Sequence, residues 1–419
     1  KVGRTAYVGA RAITMSGLGV LEDALIITSN NKIEYVGPRN GSAALDDATV
    51  VDISGKTVMP GIVDVHTHFL RTFEVEATAP ITRDMFATLA YGVTTVFDPS
   101  GPTIDASVRS ENSQSDEFTG PTYYGAGLPL LGAYGSFNQT PVRSYEEALH
   151  WTHLLARAGA LMVKEYLQPT RHQRRWLADA AKHWGLGVTA HEVRNLRVPL
   201  SLVVDGYTGI EHNMTNRPVR DDVKQFLVSS GIAMTPTLGV TVQPGEYLQS
   251  LSSSRDQRAR CLIAPRSNKS TVVPSDKAKL QLISSSDFVV ARDYADILNR
   301  GGNVSIGGHG EAPGLDSHWE MQLLEMAGAK RISILQAATV NGAKKLGMEN
   351  HIGSLAAGMD ADFVVLNSNP LDGIKNTLDI SRIVRRGRTV AWPMSAAPPG
   401  WVSDDSWQTC KTWNLGLAH

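Results

Sequence analysis

Between residues 59 and 351 the chain alternates eight times between a short β-rich run and a helical stretch, and this constrains the fold more than any other feature. The runs are "GIVDVHTH" (61–68), "GVTTVFD" (92–98), "PTYYGAG" (121–127) and "ALMVKEYL" (160–167). They continue with "GLGVTAHE" (185–192), "GYTGIEHN" (206–213), "GIAMTPTL" (231–238) and "NVSIGGHG" (303–310). Helical patterns such as "SYEEALHWTHLLARAG" and "RHQRRWLADAAKHWG" lie between them, and most end in Gly as a C-cap does. Eight strand–helix units over roughly 290 residues match a (β/α)8 barrel, typically ~250 residues long. The excess falls at 239–302, where "SLSSSRDQRARC" reads as a polar loop and a candidate lid. The alternative is an open doubly wound sheet, but the Gly-x-Gly-x-x-Gly that marks it is absent after the first strand.

The two ends read differently. Residues 1–58 carry β-branched runs separated by turn residues, with Asn30-Asn31 placed as a two-residue hairpin turn. Residues 352–393 return to that style in "ADFVVL" and "RIVRRGRTVAW". The expected fold is therefore α/β: a distorted (β/α)8 TIM barrel over 59–351, and a small β-sandwich built from both termini, 1–58 and 352–393. A C-terminal tail, 394–419, is rich in Pro, Ser and Trp.

Composition narrows the function. Lys plus Arg is 40 and Asp plus Glu is 41, a net charge of −1, which leaves no basic excess to hold a nucleic acid. With 42% hydrophobic and 19% charged residues the chain has a globular composition. Its apolar runs fall short of the ~20 residues of a membrane span. Two cysteines, Cys261 and Cys410, exclude a disulfide scaffold and an all-cysteine zinc site, and leave open whether they pair. The sequence starts at Lys1 without a signal segment, so the compartment is not legible, and the chain reads as trimmed or cut from something longer.

His66 and His68 stand two apart on the first run, so strand alternation points both rings to one side, where one metal ion can take both. Lys164, His191, His212 and His309 each end another run, at the strand ends from which barrel active sites are built. An ammonium at Lys164 would be costly to bury and a poor neighbour for metal cations. If its amine has combined with CO2, the carbamate is an anionic ligand able to bridge two metals. Weaker candidates for substrate contact are Arg194 and Arg197 after the fifth strand, Tyr134 and Ser136 after the third, and Asn213 and Arg217 after the sixth. His150 and His153 imitate a metal pair but fall on an outer helix, as do His172 and His183. No nucleophile elbow, no His-Glu-x-x-His and no phosphate loop is present, and the strand ends carry imidazoles where a glycosidase needs two carboxylates.

Together "VMPGIVDVHTHF", "VKEY", "TAHE", "GIEHN" and "IGSLAAGMDADFVVLNSNPL" resemble the metal-dependent amidohydrolase superfamily, and more narrowly its imidazolonepropionase-like and prolidase-like branch. "GARAITM", "GIEH" and "GHGE…HWE" further resemble members that follow a TolB-like β-propeller in a longer protein. The resemblance implies a binuclear centre. His66 and His68 would bind the more buried metal, carboxylated Lys164 would bridge, and His191 with His212 would bind the second metal. The metals would be zinc, with manganese, iron or cobalt as alternatives, holding a bridging hydroxide that attacks a carbonyl. Most members end the eighth strand with an Asp that acts as ligand and proton shuttle. This chain offers His309 there, with Glu311 as a reserve carboxylate. The expected activity is hydrolysis of an amide, peptide (dipeptidase or Xaa-Pro type) or cyclic amide. A lactone or carbamate ester is the nearest competitor, a one-metal deaminase is further off, and a non-catalytic barrel is the alternative of another class. The expected partner is a small-molecule or short-peptide substrate, with a homo-oligomer allowed.

Overall fold

The computed structural model describes residues 3–40, 45, 47–69, 83–115, 119–132, 140, 142–192, 195–214, 218–242, 257–263 and 276–390. The strands, in chain order, begin with β1 (Thr5–Ile13), β2 (Val20–Ser29), β3 (Lys32–Pro38), β4 (Thr49–Asp52) and β5 (Thr57–Pro60). The middle of the chain supplies β6 (Ile62–Asp64), β7 (Val93–Asp98), β8 (Thr122–Gly125), β9 (Leu130–Leu131), β10 (Met162–Tyr166), β11 (Gly187–His191), β12 (Gly209–Glu211) and β13 (Ala233–Thr235). The last three are β14 (Phe363–Leu366), β15 (Ile380–Arg385) and β16 (Arg388–Thr389).

Strands from the two ends of the chain join in one sheet, in the order β16-β15-β14-β5-β1-β2-β3, with β4 paired to β1. Two separate stacked layers, expected as a sandwich, are not distinguished by these ladders. The β2–β3 hairpin turns through Asn30 and Asn31, both at positive φ (47° and 69°), as an Asn-Asn turn allows. The sheet buries Tyr7, Ile26, Val58, Phe363 and Val365 in one cluster, where the Tyr7 and Phe363 rings meet edge to face at 5.1 Å.

The middle of the chain forms two parallel sheets, β6-β7-β8 and β9-β10-β11-β12-β13. Strands such as β7 are buried along their whole length, which is why they read as continuous apolar runs rather than alternating ones. Helices cover them. Tyr145–Arg157 starts at Ser144, whose hydroxyl accepts from the Glu147 N–H. Arg171–His183 starts with a capping box between Thr170 and Gln173.

The element bounds differ from the sequence reading in three places. The third run gives β8, which pairs with β7, and a two-residue strand beyond the run, β9, past Gly127 at φ 71°, pairs with β10. The eighth run is not a strand but an isolated bridge between Met234 and Val304. Its backbone still joins the two sheets: Ser305 N donates to Met234 O at 2.9 Å and Val65 N donates to Ile306 O at 3.2 Å. Within 239–302, Gln257–Leu262, Asp276–Ile283 and Val289–Asn299 are helices, so the segment is not simply loop. The rest of the candidate lid, and the tail from Met394, lie outside the described residues. Among the described residues no helix is long and apolar enough to cross a membrane.

Candidate metal centre

The first run ends as a regular strand at Asp64, before either histidine. Extended pairing nevertheless continues: Val65 N bonds Ile306 O on one flank and Thr67 N bonds Phe97 O at 3.1 Å on the other. The two-residue spacing therefore still turns both imidazoles to one side, with ring centroids 5.1 Å apart. Asp64 pins this segment to the eighth run. Its buried carboxylate accepts from His66 N (3.0 Å), Gly308 N (2.9 Å) and the Ser317 hydroxyl (2.6 Å).

Each ring is oriented by a carboxylate. His66 Nδ1 lies 2.7 Å from Glu211 Oε2, and His68 Nδ1 lies 3.0 Å from Asp98 Oδ1. A carboxylate accepts, so Nδ1–H is the donor and Nε2 keeps its lone pair. His66 Nε2 is buried with no hydrogen-bond partner among the described residues. This carboxylate–imidazole arrangement is the one that accompanies ligating histidines.

Two further imidazoles, His212 and His309, arrive by broken alternation. Glu211 and His212 are adjacent, and a regular strand would send them to opposite faces. His212 adopts φ 65°, which brings its ring within 4.6 Å of His66 while Glu211 still bonds His66 from the same strand end. His309 does likewise at φ 74°, its ring 4.9 Å from His68 and 5.3 Å from His66. His212 Nδ1 is held by the Thr237 hydroxyl at 2.7 Å. His191 stacks on Tyr166 at 4.0 Å and lies 4.5 Å from His212, with its Nδ1 buried and without a hydrogen-bond partner among the described residues. One nitrogen from each of His66, His68 and His309 lies within 4.8 Å of the other two, so these three could hold a metal ion.

Burial keeps His66, His191 and His212 neutral. It pushes His66 and His212 well down and His191 down to about 3, and the Lys164 ammonium pushes all three the same way. Neutral imidazole is the ligating form. Burial also brings Lys164 down to about 8, against the opposing pull of Glu211. Glu211 is itself pushed up by burial, but Lys345, His66 and Lys164 outweigh this and hold it ionised. The orphaned nitrogens and the donor set fit a divalent cation.

These side chains line one cleft of about 1480 Å3, together with Tyr166, Gln168, Arg174 and Asn213 and the apolar Leu128, Pro129, Val198 and Val240. Glu311 is half exposed beside the cluster, its Oε1 3.5 Å from His309 Nδ1. Asn213 faces the cleft, but its side-chain oxygen is taken by the Thr241 hydroxyl. Arg197 is exposed and away from the cleft lining. Tyr134, Ser136, Arg194 and Arg217 lie outside the described residues. His153 stacks on Trp184 on the outer helices and His150 meets Trp151, away from the cluster. Sequence reasoning missed Asp98, Glu211, Thr237 and Lys345. Glu211 had a signal, since it sits next to His212, but strand alternation argued against it.

Residues 57–390 match the amidohydrolase family. An imidazolonepropionase of Pseudomonas entomophila (strain L48) is 42% identical over 67 residues, which is 16% of this chain and 17% of that protein. The chain thus aligns with about a sixth of the length of such curated relatives. A solved Xaa-Pro dipeptidase with bound methionine in its active site superposes with a TM-score of 0.70 at 18% identity, covering 92% of this chain and 99% of the other. A solved candidate prolidase from Bifidobacterium longum gives 0.73 at 22% identity, covering 94% and 96%. At such identities the likeness is one of fold.

Proposed function

The chain belongs to the amidohydrolase family, and from that premise we propose that it is a metal-dependent hydrolase of an amide, peptide or cyclic-amide C–N bond. One observation carries the reading: five imidazoles and Lys164, from the ends of five runs, face one cleft, and the buried His66 Nε2 has no hydrogen-bond partner among the described residues. In this reading the two parallel sheets act as one distorted barrel whose C-terminal rim holds the site. His66 and His68 would hold one ion. His191 and His212 would hold a second, and Lys164, as a carbamate, would supply a further anionic ligand.

Lys164 suits that role because an amine brought down to about 8 offers neutral nitrogen near neutral pH, the form that combines with CO2. The product, formed with release of a proton, places an anion where a buried cation would repel metal ions. Bound divalent ions would supply Lewis acidity, lowering the pKa of water and polarising the scissile carbonyl. Asp98 and Glu211 keep the His68 and His66 lone pairs turned inward. His309, with Glu311 Oε1 3.5 Å from its Nδ1, would take the proton of the attacking water and return it to the departing nitrogen. Leu128, Pro129, Val198 and Val240 offer an apolar wall to a short peptide or acyl group, in keeping with a dipeptidase or Xaa-Pro activity. Placement behind a β-propeller in a longer protein rests on the motif resemblance alone.

The test is elemental analysis of the purified protein with a panel of Xaa-Pro dipeptides, N-acyl amino acids and lactones. Two zinc-class ions per chain and amide turnover that disappears in His66→Asn are expected. Full turnover by metal-free protein would end this reading.

A further inference from the structure

Behind the histidine cluster sits a buried ammonium that the proposed chemistry does not use. Lys345 is the last residue of the helix Val340–Lys345, and its side chain is fully buried. Its Nζ lies 2.5 Å from Glu211 Oε1 and 2.7 Å from the Thr235 hydroxyl. The same Oε1 accepts the Thr189 hydroxyl at 2.5 Å, and Oε2 faces His66 Nδ1 at 2.7 Å. The contacts thus tie β11 (Thr189), β12 (Glu211) and β13 (Thr235) to the helix and, through Glu211, to His66. The lysine stem reaches this point past Gly209. A Cβ there would stand 2.7 Å from Thr189 Oγ1 and 3.5 Å from Lys345 Cε, so the glycine leaves room for the Thr189 hydroxyl that Glu211 Oε1 accepts.

We propose that Lys345 is a positioning residue of the histidine centre: its ammonium clamps Glu211 Oε1 so that Oε2 fixes the His66 ring with Nε2 facing its neighbours. The inference rests on the reading that these histidines hold a metal. The clamp is geometric. Lys345 and Thr189 together occupy one carboxylate oxygen and leave the other to His66 alone. Burying the pair also meets a requirement that a lone carboxylate would fail, because an ionised group removed from water must find opposite charge and hydrogen bonds close by. Without the ammonium, Oε1 retains a single hydroxyl, Glu211 gains rotational freedom, and the His66 ring loses its fixed acceptor. Outer partners of ligating histidines are commonly worth 10–100-fold in metal affinity.

A mutant cycle of Lys345→Met, Glu211→Gln and the double variant tests this. Zinc affinity is measured by competition with a chromophoric chelator, and histidine 15N NMR on metal-free protein reads which His66 nitrogen carries the proton. Lys345→Met should weaken zinc roughly 10–100-fold and shift the His66 signal away from Nδ1–H. The double variant should bind no worse than Glu211→Gln alone, because Lys345 acts through Glu211. Wild-type affinity in Lys345→Met, or effects that add in full, would overturn the proposal. Should Lys345→Met leave no folded protein, Lys345→Gln, which loses the charge and shortens the reach to Oε1, takes its place in the cycle. A smaller loss of zinc affinity that vanishes in the Glu211→Gln background is then expected, and a loss of the same size in that background would overturn the proposal. Failure of the wild-type protein to bind zinc at all would instead sink the metal reading, so the two failures are distinguishable.

Discussion

Replacing Asp98 should weaken the centre without touching a histidine, and the contacts set by how much. Asp98 Oδ1 receives His68 Nδ1–H and Ser100 N–H, each at 3.0 Å, and Oδ2 receives the Tyr123 hydroxyl at 3.3 Å. In Asp98→Asn the amide oxygen can occupy the Oδ1 position, so the bonds to His68 and Ser100 survive as neutral ones. A hydrogen bond to a charged group contributes about 1.5–3 kcal/mol and a neutral one about 0.5–1.5, so the loss is about 1–1.5 kcal/mol. That is roughly tenfold in the zinc dissociation constant. Asp98→Ala removes the acceptor altogether, frees the His68 ring and leaves Ser100 N–H and the Tyr123 hydroxyl without it. Its loss should reach the ~100-fold end of the range for outer partners, with about 1–3 kcal/mol of stability lost as well. Zinc competition and thermal unfolding on the same samples separate the two effects. Wild-type affinity in Asp98→Ala would refute the reasoning. An Asn variant as weak as the Ala variant would refute the division between charge and geometry.

Three further outcomes follow from the same groups. Metal-free protein should lose stability as pH falls below ~6.5, the unfolded histidine pKa. There the unfolded chain takes up protons that folded His66, His191 and His212 refuse, at roughly 1.4 kcal/mol per pH unit for each, down to about 3 for His191. Melting curves from pH 7.5 to 5 check this, and a flat profile counts against neutral buried imidazoles. The sign is the same for Lys164 at higher pH: with a folded value of about 8 and an unfolded value of ~10.4, stability should rise between those limits, and back-titration of CO2-depleted protein would reveal it. Gly307→Ala places a Cβ 2.6 Å from both His66 Cβ and Thr235 Cγ2, so it should cost about 1–3 kcal/mol and weaken zinc, whereas a stable, tightly binding variant would mean that the His66 segment can shift freely.

What the sequence made legible follows from which interactions are periodic. His66 and His68 could be placed together because a spacing of two survives wherever the backbone stays extended, even past the last ladder residue at Asp64. Lys164 and His191 lie within regular strands, and their placement needed only the strands to be found. His212 and His309 were legible as strand-end residues, but their orientation was not, because it depends on left-handed backbone at each. The eighth run lacked strand bounds for the same reason: two glycines and a positive-φ histidine follow Ile306, and a single bridge replaces a ladder. The outer layer was illegible in kind. Lys345 meets Glu211 across 134 residues, His66 meets Glu211 across 145, and His68 meets Asp98 across 30. In a chain with 41 acidic and 40 basic residues, nothing local separates these few from solvated surface charges. Neutral imidazoles advertise a centre, yet a cluster of them must be oriented from behind, and charged orienting groups at that depth must themselves be neutralised. The requirement for Asp98, Glu211 and a counter-cation was therefore implicit once the histidines converged; their identity had to wait for the packing of helix Val340–Lys345 against the strands.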